Sequence, residues 1–127
     1  MKKILLLIVL FSVVHGCATT IEPVDSEAFG RRWTLLVVVN NVQFFYDPQS
    51  VRTLPAGIVK FDGRRVNTYG YETLSRMEID CRKLLIRSFD STTYDKDHRP
   101  VGSTPDSGWT SLAPTSILYE NKEVFCK

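Results

Sequence analysis

The apolar run from Ile4 to Val14, with Lys2 and Lys3 before it and Gly16-Cys17 after it, decides what the rest of this chain can fold into. The two lysines hold the start of the chain on the cytoplasmic side while the apolar segment enters a bilayer. A transmembrane helix needs about 20 apolar residues, and this run has roughly half that number. Residues 1–16 therefore read as a removable export signal. Cleavage after Gly16 would leave 111 of the 127 residues, enough for one domain with a modest core and too few for two. It would also deliver that domain to a compartment where disulfides form.

The tetrapeptide Val14-His15-Gly16-Cys17 resembles the lipobox of bacterial lipoproteins, with His15 an unusual occupant of its tolerant position. The resemblance implies a diacylglyceryl group on the Cys17 sulfur and acylation of the new amino group. Each buried methylene contributes about 0.8 kcal/mol, so two or more chains anchor a protein that one holds only marginally. The expected partner is thus a membrane, reached through the N-terminal lipid. Ala18 follows the cysteine where Asp would act as a retention signal, which for a double-membraned bacterium implies the outer membrane; its surface or periplasmic face is left open. The alternative is an ordinary signal peptide cut nearby, with Cys17 as a spare thiol.

Charge narrows the partners further. The chain has 16 Lys and Arg against 14 Asp and Glu, and loss of Lys2 and Lys3 leaves 14 of each. A neutral domain without a basic run longer than a pair has no field to gather phosphate backbones, so nucleic acid is not an expected partner. Cysteine arithmetic then comes out even. With Cys17 taken by lipid, Cys81 and Cys126 remain, and an oxidising compartment favours their bonding. Closing a loop of that length removes roughly 4 kcal/mol of unfolded-chain entropy. The alternative is two buried free thiols.

Residues 17–30, with Pro, Gly, Ser and Thr among acidic residues, read as a flexible tether spanning on the order of 20 Å. The folded domain is expected over residues 31–127. Trp33 to Val39 is apolar on both alternate faces, which suggests a central strand covered on both sides. Asn40-Asn41 suits a tight turn, and Val42 to Asp47 continues as its partner until Pro48 stops it. Pro55-Ala-Gly57 makes a second turn, and Asp62-Gly63 reads as a hairpin between Ile58–Phe61 and Arg64–Tyr69. Met77, Ile79 and Cys81 alternate with Glu78 and Asp80, placing the cysteine on a core face. The apolar register breaks between Ile86 and Phe89, which a bulge near Ser88 would reconcile, and a bulge is also expected at Gly70. Asp95 to Pro100 is a loop with a short strand around Val101 returning from it. Ile117 to Phe125 is the helix candidate, capped by Thr115 or Ser116. The fold class expected is α+β, an antiparallel sheet of about six strands with one C-terminal helix packed on it.

This arrangement resembles the surface-adhesin E family of Gram-negative lipoproteins. The likeness rests on Trp33, the Tyr46-Asp47-Pro-Gln-Ser50-Val51 corner, the strand ending in Cys81, and Arg87 and Tyr94 in the long strand. Trp109 before Pro114 and the stretch from Ser116 to Cys126 complete it. It implies a curved antiparallel sheet with a C-terminal helix, a Cys81–Cys126 disulfide, display at an envelope face, and self-association as a homodimer. Adhesion to host proteins follows only as analogy at the level of the fold.

Chemistry is sparse. Asp95-x-Asp97-His98 lacks a fourth ligand at a sensible spacing and the glycine of a calcium loop, so it reads as a solvated loop, and no metal or cofactor is expected. Ser107-Gly108 is not a nucleophile elbow. Catalysis is therefore not expected; a small hydrolase using His98 is the minor alternative. Phe44 and Phe45 point to opposite faces of a strand, so one of them needs a cover from the helix, a second subunit or a ligand. Arg64 and Arg65 with Tyr69 and Tyr71 form a candidate binding surface, because Tyr and Arg anchor interfaces. The expected function is a lipid-anchored, adhesin-like, non-catalytic binding domain engaging host or envelope proteins. The alternative is a periplasm-facing accessory of an envelope complex, or an inhibitor of a cell-wall-degrading enzyme.

Overall fold

Three long strands carry the domain in a computed structural model that describes residues 29–127: β4 (Ile58–Val66), β5 (Glu72–Asp80) and β6 (Leu85–Tyr94). The expected signal, Cys17 and residues 18–28 of the expected tether lie outside the described residues. The short strands share the flanks of this spine. β2 (Val42–Tyr46) pairs with the second half of β4, and β3 (Arg52–Leu54) with its first half. On the far side, β7 (Pro100–Thr104) pairs with the end of β6 and β8 (Thr110–Ser111) with its start. β1 (Thr34–Val39) completes one eight-stranded sheet by pairing with β2, and every pairing is antiparallel. The mainly antiparallel sheet with a short C-terminal helix agrees with the sequence reading; among the described residues it has eight strands where about six were expected.

The corner between β2 and β3 shows why two short strands can share one long one. Pro48 ends β2 and starts a 3-10 turn, Pro48–Ser50, in which the Asp47 carboxylate accepts from the Gln49 N–H at 2.9 Å. Asp47 N–H donates to the Asp62 carbonyl at 3.1 Å, and Asp62 N–H donates to Ser50 Oγ at 2.8 Å. The turn is thereby stitched to β4 in the gap between β2 and β3. Arg31 closes the stitch from outside by pairing with both Asp47 and Asp62.

These bonds also overturn the hairpin expected at Asp62-Gly63, which runs straight through the middle of β4. An Asp-Gly pair favours a turn only where the backbone lacks a better partner, and here neighbouring strands occupy both sides of β4. Gly63 serves a close approach instead, since a Cβ there would lie 3.2 Å from Met77 Sδ. The turn comes at Asn67–Tyr71, where the Asn67 side chain accepts from the N–H groups of Tyr69 and Tyr71. Gly70 supplies that turn's positive φ of 80°, so it marks a turn and not a bulge. Between β5 and β6 the register shifts around Asp90, whose φ is 51°, two residues beyond Ser88.

The core lies on one face of the sheet, where Val59, Phe61 and Ile79 meet Leu112 and Phe125. Phe125 stacks on Phe61 with centroids 4.0 Å apart and meets Tyr46 edge-on at 5.2 Å. Such ring pairs add about 0.5–1.5 kcal/mol beyond the area they bury. The helix that brings Phe125 there is shorter than expected. α1 spans Ile117–Glu120 behind its cap Ser116, and a 3-10 turn, Lys122–Val124, follows. Asn121 ends α1 by donating its side-chain amide to the Ile117 carbonyl at 2.8 Å. Four residues cannot hold a helix in water unaided, so packing and the Cys81–Cys126 disulfide, with Cα atoms 5.6 Å apart, keep this cover in place.

Candidate binding surfaces

The strand register assigns the two faces of the sheet different chemistry. Opposite the core, Lys60, Asp62 and Arg64 of β4 face the same way as Glu72, Arg76 and Glu78 of β5 and Arg87 and Phe89 of β6. Charges neutralise one another across strands: Arg64 meets Glu72 at 2.8 Å, Arg87 meets Glu78 at 2.9 Å, and Arg76 meets Asp90 at 3.5 Å. Cations also lie over rings, with Arg87 over Phe89 and Trp109 and Lys60 over Phe89. Arg76–Asp90 is exposed and contributes little stability, whereas Glu72 and Glu78 are buried and each is held by an arginine, so most of the charge on this face is paired within it.

The four residues singled out as a binding surface are not brought together. Arg64 lies on the charged face, stacked 5.0 Å from Phe45 and bonded to Glu72, which answers what covers Phe45: a neighbouring cation, not a helix. Arg65 points to the opposite, core-bearing face and is exposed. Tyr69 and Tyr71 sit in the β4–β5 turn, 80% and 41% exposed. An adjacent Arg pair in a strand straddles the sheet, which the period of two already requires.

His98 sits near the same end of the sheet, in the loop between β6 and β7. Its ring stacks on Phe29 at 4.2 Å, and its Nε2 lies 3.7 Å from Glu72. Phe29 also meets Tyr94 edge-on at 5.0 Å. The Arg64 hydrogen bond holds the buried Glu72 carboxyl below its ordinary value against the opposing effect of burial, with His98 a smaller contributor. In the same loop Asp95 is lowered chiefly by the backbone N–H of Arg99. These carboxylates are occupied in holding structure. Among the described residues no group of three His, Cys, Asp or Glu could hold a metal ion.

Two open features remain. The first is a groove of about 380 Å³ on the core-bearing face, where the C-terminal cover stops short of the end of the sheet. Its walls are mostly apolar, from Leu36, Phe44 and Met77 on the sheet to Ile117 and Leu118 on α1, and Thr73, Ser75, Ser88 and Arg65 also line it. The second is β1 itself. It is an edge strand and not the covered central strand expected, with Leu35 and Val38 about half exposed, at 50% and 49%. A run apolar on both faces fits either a covered strand or an unguarded edge. The signal that separates them was present: a first strand followed by a two-residue turn has one assured neighbour, and only tertiary structure can supply a second. Compared with models of protein families, with curated proteins and with solved structures, the chain gives no match.

Proposed function

We propose that this chain is a lipid-anchored protein of the bacterial outer membrane, held by acyl groups on Cys17, whose domain is a non-catalytic, adhesin-like protein-binding module of the surface-adhesin E type. The observation that carries the binding reading is the edge β1. Its sequence, Thr34-Leu-Leu-Val-Val-Val39, holds no charge and no proline, two of the devices that blunt an edge strand, and a register shift between Leu35 and Val37 is the one irregularity in its pairing with β2. Leu35, Val38 and Val39 are exposed on a strand whose outer side pairs with no strand among the described residues. An extended segment of another protein can add to such an edge, taking affinity from main-chain hydrogen bonds and specificity from the side chains alternating about them.

The test uses the full chain on beads against host-matrix and envelope extracts, with Val38→Lys as the comparison. A lysine on the edge should abolish capture of a specific partner while leaving the melting temperature close to the parent's. Undiminished capture by Val38→Lys refutes the edge as the binding surface. A dimeric parent that the substitution makes monomeric reassigns the edge to self-pairing. Incorporation of labelled palmitate, and its loss in Cys17→Ser, tests the anchor separately, and protease shaving of intact cells tells surface from periplasmic display.

A further inference from the structure

The groove beneath α1 has a chemistry of its own, independent of the β1 edge. Phe44, Met77 and Leu118 give it apolar walls. Two of the hydroxyls on its floor bond across β5 and β6, Thr73 with Thr93 at 3.0 Å and Ser75 with Ser91 at 2.8 Å. Two charged residues border it, Arg64 and Arg65, and of these Arg65 lies on the groove's own face. Arg64 is neutralised by Glu72. Arg65, exposed and on the groove's own face, has no ion pair or hydrogen bond among the described residues. The groove therefore offers one guanidinium without a partner among the described residues, at the margin of a slot that is otherwise mainly apolar.

We propose that this groove binds a small anionic amphiphile, a single short hydrocarbon tail ending in a carboxylate, with the tail against Phe44, Met77 and Leu118 and the carboxylate on Arg65. Charge complementarity selects the head group, because a guanidinium meets a carboxylate with two parallel hydrogen bonds. Size selects the tail: about 380 Å³ lies near the lower end of the range for small-molecule sites. A peptide would arrive with amide groups of its own, which walls like these cannot satisfy.

Titration calorimetry and methyl NMR on the full chain carrying Cys17→Ser, with decanoate, 1-decanol and decyltrimethylammonium below their aggregation limits, test the assignment. Decanoate should bind one to one, more tightly than the alcohol and much more tightly than the cation, and should shift the Met77 and Leu118 methyl signals. Arg65→Gln should weaken decanoate about tenfold, the effect of losing a hydrogen bond to a charged group, and leave decanol within about twofold. Arg65→Lys should restore most of the loss, and Val38→Lys should change nothing, which separates this site from the edge. Equal affinity for all three probes, unshifted methyls, or an Arg65→Gln variant that binds decanoate as well as the parent would overturn the proposal. So would binding to phosphatidylglycerol vesicles with none to free decanoate, which would reassign the surface to a membrane.

Discussion

Removing the Cys81–Cys126 bond by a double substitution, Cys81→Ser with Cys126→Ser, tests what holds the C-terminal cover on the sheet. The bond closes a loop over a sequence separation of 45 residues. In the chain-entropy treatment, cross-links of that span remove about 13 cal/mol/K from the unfolded ensemble, or about 4 kcal/mol at 25 °C. For a domain of this size each kcal/mol moves the melting temperature by about 4–8 °C, so the variant should melt roughly 20 °C below the parent. The loss should have a local component. α1 has four residues and cannot sustain itself, so with the staple gone Phe125 is held on Phe61 by packing alone. Amide exchange over residues 116–126 should therefore rise before that of β4 and β5. Calorimetry and exchange of parent and variant at neutral pH check both points. A melting temperature within about 5 °C of the parent's would refute the argument that closure of this loop stabilises the domain.

Phe61→Ala deletes a ring that is 2% exposed and stacked on Phe125, so chemical denaturation should show a loss of about 3–5 kcal/mol. Asp47→Ala removes the side-chain cap of the Pro48–Ser50 turn and a partner of Arg31, and the same assay should give a loss of about 1–2 kcal/mol. Glu72 is held below its ordinary value of 4.5, so its contribution is fully present above that pH and is lost as pH falls through the lowered folded value. Arg64→Gln should flatten this dependence below pH 4.5, read from melting temperatures across pH 2–6; an unchanged acid limb would show that the Arg64–Glu72 bond does not set it.

Local chemistry was legible wherever it needed no distant partner. Asn40-Asn41 adopts the positive φ values of a tight turn, at 50° and 63°, and Pro48 ends its strand because it lacks an N–H. Met77 and Ile79 alternate onto the core face, and the two cysteines on either side of β6 meet. Asp62-Gly63 misled because the same dipeptide serves a turn or the middle of a strand according to what lies beside it. The candidate surface dissolved for a related reason, since neighbours in sequence become opposite faces in a sheet.

By itself, then, the sequence determined an antiparallel sheet, many of the turns that punctuate it and the pairing of Cys81 with Cys126, because φ preferences, alternation and loop closure act within a few residues or through one covalent link. Only the tertiary structure decided that β1 is an open edge, that Arg64 is neutralised by Glu72 while Arg65 has no partner among the described residues, and that a groove remains beneath the start of the four-residue helix. Exposure, ion pairing and cavity shape belong to residues far apart in the chain, and they exist only once every strand has found its neighbour.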